Sequence, residues 1–276
     1  MATVSELQAV HTTRHVDRVL AAAGQSVQLD PDTRTSPGSV DAARLAAGAA
    51  LQAAERLLEG IPSFVMCRPP GHHATPDQVM GFCLFNNAAL AADALARAGK
   101  RVLVFDPDVH HGNGTQDIFW SRSAVLFVSM HRFPFYPGTG AADEIGDGTT
   151  LNAPMPAGAG DAIYAETLRR RVLPAVRRFR PDVCVISAGY DALRGDPLGG
   201  MLLTVEGMAA MWGAILEGIP AMAVLEGGYD LNNLQQGVAA TVPILANEAA
   251  PPLSTEPVPE RWIEILDALP HPLLSV

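Results

Sequence analysis

A three-layer α/β/α fold with a mostly parallel central sheet is the architecture this 276-residue sequence predicts. Short β-branched apolar runs recur along the chain, and Ala/Leu-rich segments with helical spacing separate them. The runs are continuously apolar and do not alternate with polar residues, as expected of strands buried on both faces. The general alternation of strand and helix implies a parallel sheet covered by helices on both sides.

The first helix is expected over 40–59, where Ala and Leu recur at helical spacing, and it leads into a strand at 64–67 (FVMC). A helix over 85–98 follows, then the strand 101–105 (RVLVF) and the strand 125–130 (VLFVSM). A long helix is expected over 162–179, then a strand at 183–187 (VCVIS), a helix over 205–217 and a strand at 221–225 (AMAVL). A helix over 231–246 comes next, and the Pro-rich loop 247–259 leads to a last short helix near 260–269. No linker, repeat or low-complexity tract interrupts this series, so a single domain is expected over 1–276.

Composition narrows the function classes. With 29 acidic and 19 basic residues, the net charge of −10 disfavours a nucleic-acid surface, and no nucleic-acid partner is expected. The one basic cluster, Arg169, Arg170 and Arg171 with Arg177, Arg178 and Arg180, lies in the 162–179 helical region and is read as a solvated face. Apolar stretches are strand-sized and the N-terminus has no signal-like apolar core, so no membrane partner and a cytoplasmic location are expected. Cys67, Cys83 and Cys184 form no CxxC pair and read as reduced thiols.

Reactive residues follow the strands. His72 and His73 come after the first; Asp106, Asp108, His110 and His111 after the second; Ser129, Met130 and His131 close the third. Asp191 follows the fourth strand and Tyr229 the fifth. Ligands of parallel α/β sheets bind beyond the carboxyl ends of the strands, so five strands deliver ionisable or polar groups to one edge. Each motif alone has a bland reading: a cap for Asp191, a turn residue for Tyr229, core histidines for His72 and His73. Their convergence favours a site.

Asp108 and His110, two apart, face one side of an extended backbone, and Asp191 can complete a set of two carboxylates and one imidazole. Such a set neutralises a divalent cation, suits zinc or Fe(II), and leaves positions open for water and substrate. Either histidine of the 72–73 pair is a candidate base for a metal-bound water. Asp106 can hold one imidazole charged, Asn113 can orient the other through a neutral bond, and the Tyr229 phenol can donate to a developing oxyanion. Metal-assisted hydrolysis of an amide or ester is the chemistry these parts describe.

Six stretches in order, RPPGHHA (68–74), GFCLFNNAALAA (81–92), DPDVHHGNGTQ (106–116), VSMHRFPFYPGTG (128–140), SAGYDALRGDPLGG (187–200) and LEGGYD (225–230), resemble the zinc-dependent histone deacetylase-like amidohydrolases of the class II-like bacterial type. The resemblance covers nearly the whole chain and implies the arginase–deacetylase fold. It implies zinc on Asp108, His110 and Asp191, His73 as general base then acid, and His72 with Asp106 as a stabiliser of charge. It implies Tyr229 on the scissile carbonyl, and Gly81, Phe82 and Tyr136 as walls of an acyl channel. A structural potassium, or sodium, is implied on Asp106 and Ser129 and on main-chain carbonyls of Asp108, His110 and Met130.

Three departures from the family accompany this. Met1 lies just before LQAVHTTRHVDRVL, so an N-terminal strand and rim segment are expected to be missing: either the sequence is incomplete or trimmed, or the pocket is wider or completed by a neighbouring subunit in a homo-oligomer. Leu198 stands where polyamine-preferring relatives can carry a glutamate that reads the substrate's positive charge, so leucine argues against that specificity. Asn113 stands where other deacetylases have Asp, as is usual for the class II-like branch. Hydrolysis of an acylated lysine or related acyl-amine leads; acylpolyamines, small acylated metabolites or esters are the alternative substrates. A catalytically silent metal-binding or interaction module is the alternative of another class.

Overall fold

Six parallel strands form the middle layer of the computed structural model, which describes residues 1–269 and 271–274. Pro270, Ser275 and Val276, part of the unit expected over 1–276, lie outside the described residues. The first elements are α1 (Val4–Leu7), α2 (Thr13–Ala21), the short antiparallel pair β1 (Gln28–Asp30) and β2 (Thr33–Arg34), α3 (Ser39–Leu58) and β3 (Ser63–Val65). Next come α4 (Asn87–Arg97), β4 (Val102–Asp106), α5 (Asn113–Phe119), β5 (Val125–Arg132) and β6 (Thr150–Met155). The chain ends with α6 (Asp161–Thr167), α7 (Leu173–Phe179), β7 (Val183–Ala188), α8 (Val205–Ile215), β8 (Ala221–Leu225), α9 (Leu231–Leu245) and α10 (Glu260–Ala268).

The sheet order is β3-β8-β7-β4-β5-β6. Every residue of β4, β7 and β8 is buried, which is why these strands read as unbroken apolar runs. One core lies between the sheet and α2 to α5, with Leu90, Leu95, Val104 and Phe127 at its heart. The other lies between the sheet and α6 to α9, around Phe105, Ile186 and Trp212. From β4 the order runs outward through β5 to β6, and from β7 it runs the opposite way through β8. The reversal falls between neighbours β4 and β7, and at such a switch point the loops diverge and leave a crevice.

Several expectations change in detail. Strand β6 escapes the apolar-run criterion because TLNAPM carries Asn152 and Pro154; at the sheet edge a proline forfeits no ladder bond. The helix expected over 162–179 is broken by a π turn at Leu168–Val172, directly before Pro174, which has no N–H for a regular helical bond. Arg171 corrects the reading of a wholly solvated basic face. It is buried, and its Nη1 donates to the carbonyls of Leu266 and Leu269, satisfying the acceptors that the end of α10 leaves open. Arg169 and Arg170, by contrast, pair at the surface with Glu166 and Asp267.

Candidate active site

The switch point holds a buried knot of carboxylates. After β4 the chain turns so that Asp108 N–H donates to Asp106 Oδ1 (3.1 Å) and His110 N–H to Asp108 Oδ1 (2.9 Å). Val109 N–H donates to Asp191 Oδ1 and Gly227 N–H to Asp108 Oδ2, both at 2.9 Å. Backbone donors from two loops, after β4 and after β8, thus fix the orientation of both carboxylates. The remaining oxygens converge: His110 Nδ1 lies 3.1 Å from Asp108 Oδ1 and 3.2 Å from Asp191 Oδ2. A Cβ on Gly227 would stand 2.1 Å from Asp191 Oδ2, so only glycine lets the β8 loop close over the cluster.

Asp108, His110 and Asp191 offer ligand atoms all within 4.8 Å of one another, a group able to hold a metal ion. Asp191 Oδ2 is fully buried and makes no well-formed hydrogen bond among the described residues; His110 Nδ1 is its ion-pair neighbour at 3.2 Å, and a buried carboxylate oxygen so placed favours a cation. Burial and the charge of Asp108 push Asp191 up to about 6. Burial disfavours charge on His110 too, yet the two carboxylates raise it to about 10. Two carboxylates and one imidazole suit a divalent cation with positions left for water and substrate, so the residues fit the zinc expected here.

The paired histidines stand beside this cluster, ring centroids 4.0 Å apart. His72 Nδ1 bonds Asp106 Oδ2 at 3.0 Å, and His73 Nδ1 bonds Asn113 Oδ1 at 2.8 Å. Burial opposes charge on both. At His72 it is outweighed by Asp106, Asp108 and Glu226, which hold the imidazole well above its ordinary value. At His73 the positive charge of His72 adds to burial, and the pKa falls well below. One ring therefore carries a proton and its neighbour is free to accept one.

Tyr229 and the walls complete the pocket, which is lined by Asp32, Phe82, Tyr136 and Leu198 above the histidines and the metal-ligating group. Its volume of about 120 Å³ suits a slim stem better than a ring system. Burial, then Asp108 and Asp191, keep the Tyr229 phenol protonated far above its usual range. Gly81 has φ +57° and its hydrogen faces the His73 ring, where a Cβ would lie 2.2 Å from the imidazole. Phe82, also left-handed at φ 66°, presents its ring 6.2 Å from Tyr229. Tyr136 meets His73 edge-on at 5.2 Å.

Asp106, expected also at a monovalent cation, stands opposite Ser129 in the β4–β5 register, and the Ser129 hydroxyl bonds His131 Nδ1 at 2.9 Å. Met130 follows it, buried in β5. His111 turns away from the cavity to Thr139 and Gln116.

Four supporting residues escape the sequence reading. Glu226 accepts from the N–H groups of Gly71 and His72 and from the Ser187 hydroxyl, tying the histidine loop to β7 and β8. Its signal, an acid directly after a buried strand, is the one that marked Asp106. Asp196 accepts from Tyr229 N–H at 2.7 Å and Leu198 N–H at 2.9 Å, joining two walls. Arg132 stacks over Phe135, whose ring lies parallel to His110 at 5.2 Å, and its Nη1 donates to Gly199 O. Asp32 stands at the mouth: the β1–β2 turn brings it there, and it accepts from Gly81 N–H at 3.0 Å. A two-residue turn in a polar stretch gives no advance sign of this.

Comparison with known proteins identifies the family. The profile of the histone deacetylase domain matches residues 1–245. Histone deacetylase 15 of Arabidopsis thaliana is 42% identical over 97% of this chain, which spans about half (51%) of that protein's length. A probable deacetylase of Methanothermobacter thermautotrophicus is 42% identical, with 93% of this chain and 81% of the relative covered. A histone deacetylase-like amidohydrolase of Pseudomonas aeruginosa is 42% identical, with 81% and 63% covered. The crystal structure of the HDA15 HD domain superposes with a TM-score of 0.89 at 40% identity, covering 97% of this chain and 77% of that one. With its parallel sheet, the arginase–deacetylase architecture and a domain match over most of its length, the chain belongs to the histone deacetylase domain family of hydrolases.

Proposed function

We propose that this chain hydrolyses the acyl-amide bond of an acylated lysine or closely related acyl-amine, with zinc held by Asp108, His110 and Asp191. The observation that carries the reading is the split histidine pair beside a buried, cation-demanding group at the foot of a narrow channel. When bound, zinc supplies Lewis acidity toward the carbonyl and lowers the pKa of water.

The chain's own residues do the rest. His73, neutral and held by Asn113, takes a proton from the attacking water and gives it to the departing amine. His72, kept protonated by Asp106, balances the negative charge that develops nearby. The Tyr229 hydroxyl donates to the carbonyl oxygen as it becomes an oxyanion, a bond that strengthens toward the transition state. Gly81, Phe82, Tyr136 and Leu198 enclose the alkyl stem. A potassium ion on Asp106, Ser129 and the carbonyls of Asp108, His110 and Met130 would brace the β4 and β5 ends; the Asp106–Ser129 register supports it.

Acylpolyamines are the second substrate reading, favoured by the single carboxylate, Asp32, at the mouth. Zinc-loaded protein assayed on acetyl-lysine peptides, acetylpolyamines and aryl esters separates the readings. Turnover of the peptides, lost with His73→Ala while about one zinc per chain is retained, supports the proposal. Full activity of His73→Ala would overturn the mechanism, and turnover of acetylpolyamines alone would overturn the substrate.

A further inference from the structure

Across the channel wall lies a second, larger recess. A groove of about 460 Å³ shares Asp32, Pro70 and Phe82 with the catalytic pocket and is floored by Pro69, Ala42 and Leu84. Two arginines line it: Arg34 at the end of β2 and Arg68 just after β3, both exposed. Neither makes an ion pair among the described residues. Arg68 Nη1 donates to the main-chain carbonyl of Glu226 at 2.9 Å, which anchors the guanidinium and leaves other donors for a ligand.

Asp32 is the one acid lining the groove, so the groove carries net positive charge on a chain whose own net charge is −10. Asp32 Oδ1 is already engaged by Gly81 N–H at 3.0 Å and by the Thr33 hydroxyl at 2.8 Å. Two guanidinium groups without an ion-pair partner among the described residues, beside a catalytic mouth, match a planar anion that can be gripped by paired N–H donors.

We propose that this groove is a specificity subsite for an anionic side chain, carboxylate or phosphate, carried by the polypeptide that flanks the acylated lysine. The inference rests on the acyl-lysine reading above. Channel and groove share Asp32, Pro70 and Phe82 as lining, so a ligand that fills both needs two arms, one in each. A polypeptide supplies them: side chains branch from it about every 3.3 Å, and residues two apart point to the same side. The contact lies away from the reacting bond, so it strengthens ground state and transition state alike and acts on KM more than on kcat.

The test is a set of acetyl-lysine peptides that differ only at the positions flanking the lysine, carrying Glu, phosphoserine, Gln or Lys. Zinc-loaded protein is expected to favour the Glu and phosphoserine peptides over Gln by about two- to tenfold in kcat/KM, mainly through KM, with Lys poorest. The preference should shrink as salt rises from about 50 to about 500 mM, because these arginines are exposed. Arg34→Glu should invert the order of the Glu and Lys peptides. Arg34 is exposed and makes no ion pair among the described residues, so its variant tests charge and not folding. Glu and phosphoserine peptides measured side by side distinguish the two sources of the anion. Equal turnover of the Glu, Gln and Lys peptides, or an acidic preference that survives Arg34→Glu, overturns this inference and leaves the acyl-lysine reading standing. No turnover of any peptide overturns that reading, and this inference with it.

Discussion

Of the buried histidine pairs in this fold, two make an instructive contrast, and only one of these two is built for chemistry. His11 and His15 stack at 4.5 Å against Phe85, and His72 and His73 meet at 4.0 Å beside Asp106 and Asp108. In the first pair the partners are main-chain groups: His11 Nδ1 donates to Thr75 O, its Nε2 accepts from Asn86 N–H, and His15 Nε2 donates to Leu84 O. A neutral imidazole satisfies such partners, and burial lowers both rings, His11 to about 3. In the second pair carboxylates reverse the effect of burial on one ring and leave it in force on the other. Burial alone makes a histidine inert; a buried carboxylate beside one member of a pair turns the pair into a proton carrier and a base.

The largest effect that can break this contrast is His73→Ala, expected to lower kcat by about 10²- to 10⁴-fold, whereas His11→Gln should leave kcat unchanged. Steady-state kinetics on one acetyl-lysine peptide compares them directly; a matching loss in both variants would erase the distinction. Tyr229→Phe comes next, with a fall in kcat of about 10²-fold and little change in KM, since its bond grows as the oxyanion forms.

Asp106→Asn sharpens the contrast through pH. Without that carboxylate His72 loses its proton more readily, and His73 is relieved of a positive neighbour. The base must be neutral to work, so activity is lost as pH falls through the His73 pKa. That pKa should rise toward the ordinary histidine value, moving the acid limb of kcat/KM to higher pH, with kcat down about tenfold. An unmoved acid limb would show that Asp106 does not set the split.

The smallest effect belongs to the inert pair and is read in stability. His11 has a folded pKa of about 3 against an ordinary 6.5, so the unfolded chain binds the proton first. Its contribution is fully present above about pH 6.5 and is lost as pH falls toward 3, at about 1.4 kcal/mol per pH unit. Urea midpoints measured between pH 7 and pH 5 should fall for the parent chain and fall less steeply for His11→Gln.

Much of the fold is legible in the sequence because buried parallel strands cannot disguise themselves. Strands β4, β7 and β8 are apolar at every position except the Asp106 and Ser187 ends, and the expected bounds differ from theirs by one residue at most. The edge strand β6 is not legible because Asn152 and Pro154 interrupt its apolar run although the strand is largely buried, and the β1–β2 hairpin is not legible because it bears little burial and so selects no composition. Within the site, residues that must be ionisable at a strand end stand out. Residues that act by reaching across loops do not: Asp196 on Tyr229 N–H, or Arg132 through Phe135 onto His110, look in sequence like turn and surface residues.

By itself the sequence determined the layer architecture, the strand edge that collects reactive groups and the identity of the three metal-ligating candidates, since periodicity and burial act residue by residue. Only the tertiary structure decided which histidine is charged, that Glu226 braces the histidine loop, and that Asp32 and two unpaired arginines stand at the mouth. Electrostatic character depends on which charges lie within a few ångströms in a poorly screened interior, and that proximity is set by how strands β4, β7 and β8 line up, not by their order along the chain.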